Sequence, residues 1–150
     1  MGRVDATQRL GGRVADAEAL WYDLARWPAF VEGFEAVESV EHGWPREGGE
    51  LTWRSIPAGR GRVTERVTRH EVRRGQESQV ADDQLTGTQT VSLRPLEEGC
   101  EIKLVLDYRL KTGPLMAVVD LLFVRRAVRA SLRRTLAEFA RELAGAGRRM

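Results

Sequence analysis

The sequence predicts an α+β domain in which a curved antiparallel sheet of about seven strands packs on one long C-terminal helix, with two short helices after strand 1. Three observations support this prediction. Apolar residues in Leu115–Ala144 recur every three or four positions, as on one stripe of a helix. Apolar and polar residues alternate through most of 36–110, as in strands with one buried face. Short turns rich in Gly and Pro separate these strands, which favours an antiparallel meander.

The N-terminal segment combines one strand with two short helices. Arg3–Val14 alternates weakly and is predicted to be a strand, irregular at Gly11-Gly12. Asp16 is suited to cap a helix that begins at Ala17. Its apolar face is predicted to carry Leu20, Trp21, Leu24 and Trp27. A second short helix is expected at 28–33, with a core-facing set of Phe30, Val31 and Phe34.

Six further strands are predicted at 36–42, 50–56, 62–73, 76–82, 85–96 and 100–110. The last alternates most clearly, whereas 76–82 is very polar. One phase of each strand should face the helix. The predicted inward set is Trp53, Val63, Glu65, Val67, Gln89, Val91, Leu104, Leu106 and Tyr108.

The long helix is predicted over Leu115–Ala144, after Pro114 and before Gly145 and Gly147. Its apolar stripe consists of Leu121, Val124, Val128, Leu132, Leu136, Phe139 and Leu143. At about 1.5 Å per residue this helix would be about 45 Å long. A stripe of that length needs a broad apolar surface, which the sheet can supply.

Composition narrows the class of protein. The 150 residues suit a single domain, 1–150, with one sizeable core. Arg125 and Arg126 interrupt the best candidate for a membrane span, and the N-terminus lacks the apolar core of a signal peptide, so we expect a cytoplasmic protein. Cys100 is the only cysteine. No metal-ligand spacing, phosphate-binding loop or nucleophile motif occurs, so no metal, cofactor, catalytic residue or nucleic-acid partner is predicted.

The charge is unevenly distributed. The segment from Leu115 onward contains eight arginines and three acidic residues. Its net charge is therefore +5, in a chain whose total is +2. A basic helix on a mildly acidic body is suited to an anionic partner. The alternative is that these arginines form a solvated outer face.

Several segments resemble one known superfamily. Val14–Trp21 resembles its strand-to-helix signature, and Trp27–Phe30 resembles the segment that follows. Leu93–Glu101 is similar to its hairpin before the last strand, although Cys100 replaces the usual Thr. With the closing amphipathic helix, the chain resembles the helix-grip fold of the START/Bet v 1-like (SRPBCC) superfamily, in its polyketide cyclase/dehydrase branch. That resemblance implies a cavity between the helix and the sheet. Members of the superfamily bind lipids, sterols, quinones or polyketides, so the resemblance also implies a ligand of this kind.

Six residues are candidates for lining such a cavity: Trp53, Glu65, Gln89, Leu106, Tyr108 and Arg125. A buried Glu65 would need a partner or a proton, and could orient a ligand hydroxyl or carbonyl. In the other register of its strand, Glu65 would instead be solvated. Arg125 lies about 40° from the helix stripe, where it can pair with Glu65 or a ligand acid. Alternatively its stem packs while its head reaches solvent.

Three functions follow from these features. The first is binding or transport of a small hydrophobic ligand. The second is a polyketide aromatase/cyclase, for which Glu65, Tyr108 and Arg125 are the only candidate acid–base groups. The third is a membrane- or protein-interaction module that uses the basic helix, with peripheral membrane contact or a homodimer formed through its apolar first turns. The apolar residues outside the stripe in those turns are Leu115, Met116, Val119 and Phe123.

Overall fold

A seven-stranded antiparallel sheet forms the body of the protein. The computed structural model describes residues 2–57, 59–111 and 114–148, with only the backbone described at 114–122 and 148. The elements are β1 Gly2–Leu10, α1 Val14–Trp21, a 3-10 turn Leu24–Arg26, α2 Trp27–Phe30, β2 Phe34–Glu41, β3 Glu50–Ser55, β4 Arg62–Glu71, β5 Gly75–Ala81, β6 Leu85–Pro95, β7 Cys100–Leu110 and α3 Pro114–Arg148.

The strand order is β1-β7-β6-β5-β4-β3-β2, and each neighbouring pair is antiparallel. Strands β2 to β7 therefore form a meander, and β1 joins it by pairing with β7. The predicted α+β helix-grip fold is confirmed, including the short helices between β1 and β2. The prediction for β7 is correct at both ends.

The N-terminal boundaries differ from the prediction. β1 ends at Leu10, and Val14 begins α1 instead of ending the strand. Asp16 does not cap the helix, since it lies in the first turn and its Oδ2 is 3.2 Å from Nε of Arg13. A carboxylate in the first turn still interacts favourably with the helix dipole, although the helix begins before the predicted position. The predicted helix at 28–33 is the shorter α2, because the backbone at Val31 is extended.

The helix α3 extends beyond its predicted C-terminal end, through both Gly145 and Gly147. Its stripe faces the protein body: Leu136, Phe139 and Leu143 are buried, and Val124, Val128 and Leu132 are half-buried. The side chains of Leu115, Met116, Val119 and Leu121 lie outside the described residues. Phe123 is 70% exposed, as expected for a residue off the stripe.

The core consists of two apolar clusters. The larger is aromatic and surrounds Phe139, whose ring centroid lies 5.3 Å from that of Trp21 and 5.0 Å from that of Phe30. The smaller contains Val4, Val80, Leu85, Leu106 and Tyr108, and Val124 and Val128 of α3 pack against it. The larger cluster therefore anchors the C-terminal half of α3, and the smaller one contacts its N-terminal half.

Candidate functional site

Among the polar side chains on the inward face of the sheet, three lie close together on β4, β5 and β6, between the two apolar clusters. Glu65 of β4 is 7% exposed, Ser78 of β5 is 2% exposed, and Gln89 of β6 is half-buried. Ser78 and Gln89 are direct cross-strand partners. Glu65 pairs with Val80, which places it diagonally opposite Ser78, at roughly 7–8 Å between Cα atoms. The middle of the inward face is therefore polar where a packed core would be apolar.

The backbone of α3 lies nearer to β1 than to the strands that carry this polar area. Among the described residues, the backbone of α3 approaches β1 and α2 closely, but it makes few or no such contacts with β4, β5 and β6. Gln89 retains solvent access although it lies on the inward face of a middle strand. The solvent access of Gln89 indicates space beside this residue, whereas Glu65 and Ser78 are buried.

Glu65 is a buried acid with one close side-chain partner. Its Oε2 accepts a hydrogen bond from Nε1 of Trp53 at 2.9 Å, across the β3–β4 hairpin. Burial raises the pKa of Glu65 above its ordinary value, while the Trp53 hydrogen bond and the charge of Arg60 oppose that rise. The buried carboxyl therefore has an increased tendency to hold a proton, and when protonated it can donate a hydrogen bond.

Arg60 and Asp82 extend this network to the end of the sheet. The guanidinium carbon of Arg60 lies 5.5 Å from the ring centroid of Trp53, within cation–π distance. Nε of Arg60 donates to Oδ2 of Asp82 at 2.7 Å. The Asp82 side chain is only 1% exposed, so the loop before β4 is fastened to the turn after β5 by an ion pair whose acid is buried.

Tyr108 occupies the opposite side of the site. Its hydroxyl is buried and has no hydrogen-bond partner among the described residues. The ring lies over Gly2 of β1, where a Cβ atom would collide with it. Glu65, Val80, Gly87 and Tyr108 are successive cross-strand partners, so the backbones of Glu65 and Tyr108 are three strand spacings, roughly 14 Å, apart. Because the Tyr108 ring lies over β1, the two side chains are on opposite sides of the inward face.

The structure brings together most of the predicted ligand-binding residues. The inward register of Glu65 is confirmed, and Trp53, Leu106 and Tyr108 are also buried on that face. Gln89 and Leu106 are direct cross-strand partners. Their roles as ligand contacts stay predictions.

Arg125 is the exception among these candidates. It is exposed on α3, and it forms no ion pair with Glu65 in the described part of the chain, where the cation acting on Glu65 is Arg60. The alternative in which its head lies in solvent therefore describes Arg125 correctly. The sequence did not predict Arg60, Asp82 or Ser78 as site residues, since a loop arginine and a polar strand carry no periodic signal.

Other features lie outside this site. A depression of about 710 Å³ occupies the opposite, open face of the sheet, and its non-buried lining includes Thr52, Thr64, Thr86 and Thr88. On the β2–β3 hairpin, Nε2 of His42 lies 3.6 Å from a carboxylate oxygen of Glu41 and 3.5 Å from one of Glu50. These groups are potential metal ligands, but His42 and Glu41 are exposed, as in ordinary solvated hairpins.

Sequence comparison identifies the family. The family described as "Polyketide cyclase / dehydrase and lipid transport" matches residues 1–144. The chain belongs to this family. The resemblance drawn from the sequence motifs is therefore confirmed. No protein of curated function matches the sequence significantly.

Solved structures with the same fold agree with this assignment. The protein TTHA0849 from Thermus thermophilus is 19% identical, with a TM-score of 0.76 over 97% of this chain and 99% of that one. A Rhodobacter sphaeroides protein is 22% identical, with a TM-score of 0.71 over 95% and 92%. Norcoclaurine synthase from Thalictrum flavum, in complex with dopamine and hydroxybenzaldehyde, is 13% identical, with a TM-score of 0.67 over 96% and 87%. At these identities the likeness establishes the fold alone.

Within the described residues, no helix is both long and apolar enough to cross a membrane.

Proposed function

We propose that this member of the family binds a small hydrophobic molecule between the inward face of β4–β6 and the N-terminal half of α3. The observation that carries the proposal is the polar area of Glu65, Ser78 and Gln89, which lies between two apolar clusters and in which Gln89 retains solvent access. A ligand there would contact apolar walls on both sides and a few polar groups in the middle, the usual composition of a small-molecule site.

The polar groups suggest which end of a ligand is recognised. A protonated Glu65 can donate to a carbonyl or hydroxyl oxygen, and the Gln89 amide can both donate and accept. The family description includes lipid transport, and the norcoclaurine synthase structure holds two small aromatic molecules in the same fold. Both support a hydrophobic ligand that carries at least one oxygen.

Filling the proposed space tests this function. In Gln89→Trp, an indole enters the interior from β6, whereas Thr88→Trp adds the same ring one residue earlier on the open face. We expect binding of the neutral fluorophore N-phenyl-1-naphthylamine to weaken about tenfold in Gln89→Trp and to stay within about twofold in Thr88→Trp.

The free energy of unfolding distinguishes space from solid packing. If the space exists, Gln89→Trp should change that free energy by less than about 1 kcal/mol, because overpacking of a filled core costs about 1–3 kcal/mol. Wild-type protein that binds neither the fluorophore nor co-purified lipid in native mass spectrometry would contradict the proposal. Equal weakening by the two variants would contradict the location.

A second function, cyclisation of a polyketone, is favoured by the buried Glu65 and by the family description. Because Tyr108 is roughly three strand spacings away and Arg125 is exposed, Glu65 would be the acid–base group without help from either. Glu65→Gln should then abolish cyclisation of a model polyketone while Tyr108→Phe retains it. Unchanged turnover in Glu65→Gln would exclude this role.

Peripheral membrane contact, a homodimer and interaction through the basic helix stay predictions. Of the arginines on that helix, Arg134 is engaged with Glu32, at 2.9 Å between Nε and Oε1.

A further inference from the structure

Arg60 is a half-buried cation that lies against the inward-facing Trp53. Three chain segments meet around it at the same end of the sheet. The backbone N–H of Asp83 donates to the carbonyl of Arg60 at 3.2 Å, and that of Lys111 donates to the carbonyl of Gln84 at 2.9 Å. The loop before β4, the turn after β5 and the end of β7 are thus joined there. Because α3 begins at Pro114, its N-terminus lies beside this end of the sheet.

The guanidinium of Arg60 is held in a fixed orientation. Asp82 accepts Nε of Arg60 on Oδ2, while its Oδ1 accepts the backbone N–H groups of Gln84 at 2.8 Å and Leu85 at 2.9 Å. The indole of Trp53 lies beneath the guanidinium. An arginine fixed on one edge and one face loses little conformational freedom when it binds a further group.

The remaining edge of the guanidinium is available. The two terminal nitrogens of Arg60 have no hydrogen-bond partner within the described part of the chain, and its side chain is 35% exposed. The charge of Asp82 is already shared by three donors, so it competes only partly for those nitrogens. Two parallel N–H groups on one edge match the two oxygens of a carboxylate or a similar anion.

We propose that Arg60 binds an anionic oxygen of the ligand, so that the site takes amphipathic acids with an apolar body and a carboxylate-like head. This inference rests on the proposed ligand-binding function and specifies its substrate class. The apolar body would lie along the inward face beside Gln89, and the acidic head would lie at the end of the sheet. Trp53 connects the two regions, since it contacts Arg60 through its ring face and Glu65 through its N–H.

A matched pair of competitors tests the charge preference. Decanoate and 1-decanol have the same chain length and differ in the charged head, and each can be titrated against bound N-phenyl-1-naphthylamine. We expect Arg60→Gln to weaken decanoate binding about tenfold and to change 1-decanol binding by less than about twofold. Arg60→Lys should retain part of the preference for decanoate, because it keeps the charge without the planar edge.

Arg62→Gln is the control, because Arg62 is exposed, lies on the same stretch of chain and pairs with Glu38 through Nε at 2.7 Å. It should change neither competitor. Equal weakening of decanoate and 1-decanol by Arg60→Gln, or no weakening of decanoate, would overturn the role of Arg60. If wild-type protein binds the fluorophore and 1-decanol but not decanoate, the preference for acids is wrong while the ligand-binding function stands. If it binds none of the three, the ligand-binding function fails as well.

Discussion

Replacing Glu65 by Gln separates the charge of this residue from its packing. The Gln side chain has nearly the same shape, and its amide oxygen can accept the hydrogen bond that Trp53 now donates to Glu65. What disappears is the ionisable carboxyl in a buried position. Burial raises the pKa of that carboxyl, and this is the dominant influence over the opposing Trp53 hydrogen bond and Arg60 charge.

The direction in which pH changes the stability of the wild-type protein relative to Glu65→Gln follows from the linkage between proton binding and folding. Below its ordinary pKa, the carboxyl is protonated in both the folded and the unfolded chain, so the wild-type protein and Glu65→Gln should respond alike to pH. Between that value and the raised pKa of the folded protein, only the folded chain holds the proton. The free energy of unfolding of the wild-type protein should therefore fall relative to the variant, by up to about 1.4 kcal/mol for each pH unit.

Urea unfolding of both proteins from about pH 4 to about pH 8 measures this difference. We expect Glu65→Gln to become progressively more stable than the wild-type protein as the pH rises. Glu98→Gln, in the exposed turn between β6 and β7, removes a carboxyl from solvent and should show no such trend. A constant difference between wild type and Glu65→Gln across the range, or a wild-type protein that gains relative stability with pH, would refute the reasoning about burial.

Two further substitutions test the packing on either side of the site. Phe139→Ala should lower the free energy of unfolding by about 3–5 kcal/mol, because Phe139 is fully buried against Trp21 and Phe30. The control Phe123→Ala, on the same helix, should change that free energy by less than about 0.5 kcal/mol, because Phe123 is exposed. Similar losses of stability in the two variants would show that α3 is not anchored as described. Tyr108→Phe removes a buried hydroxyl without a described partner, so urea unfolding should show no loss beyond about 1 kcal/mol, and a larger loss would reveal a hydrogen bond.

Much of the interior could be predicted from alternation alone. In β7 every second residue from Cys100 to Tyr108 is buried, namely Cys100, Ile102, Leu104, Leu106 and Tyr108. The same two-residue period predicted Glu65 in phase with Val63 and Val67 but left the opposite register open, and the burial of all three in the structure decided between them. The order of elements followed from periodicity and from Gly- and Pro-rich turns, whereas the ends of α1, α2 and α3 did not, because several adjacent residues can begin or end a helix at similar free energy.

The sequence by itself determined which side chains share a face, because strand and helix periods are local properties of the backbone. Only the tertiary structure decided which of these groups meet. Trp53 and Glu65 are joined across a hairpin, and Arg60 reaches Asp82 from a loop whose conformation no period describes. The exposure of Arg125 was likewise decided by the tertiary structure. The position of a residue around a helix does not determine how far that helix lies from the sheet.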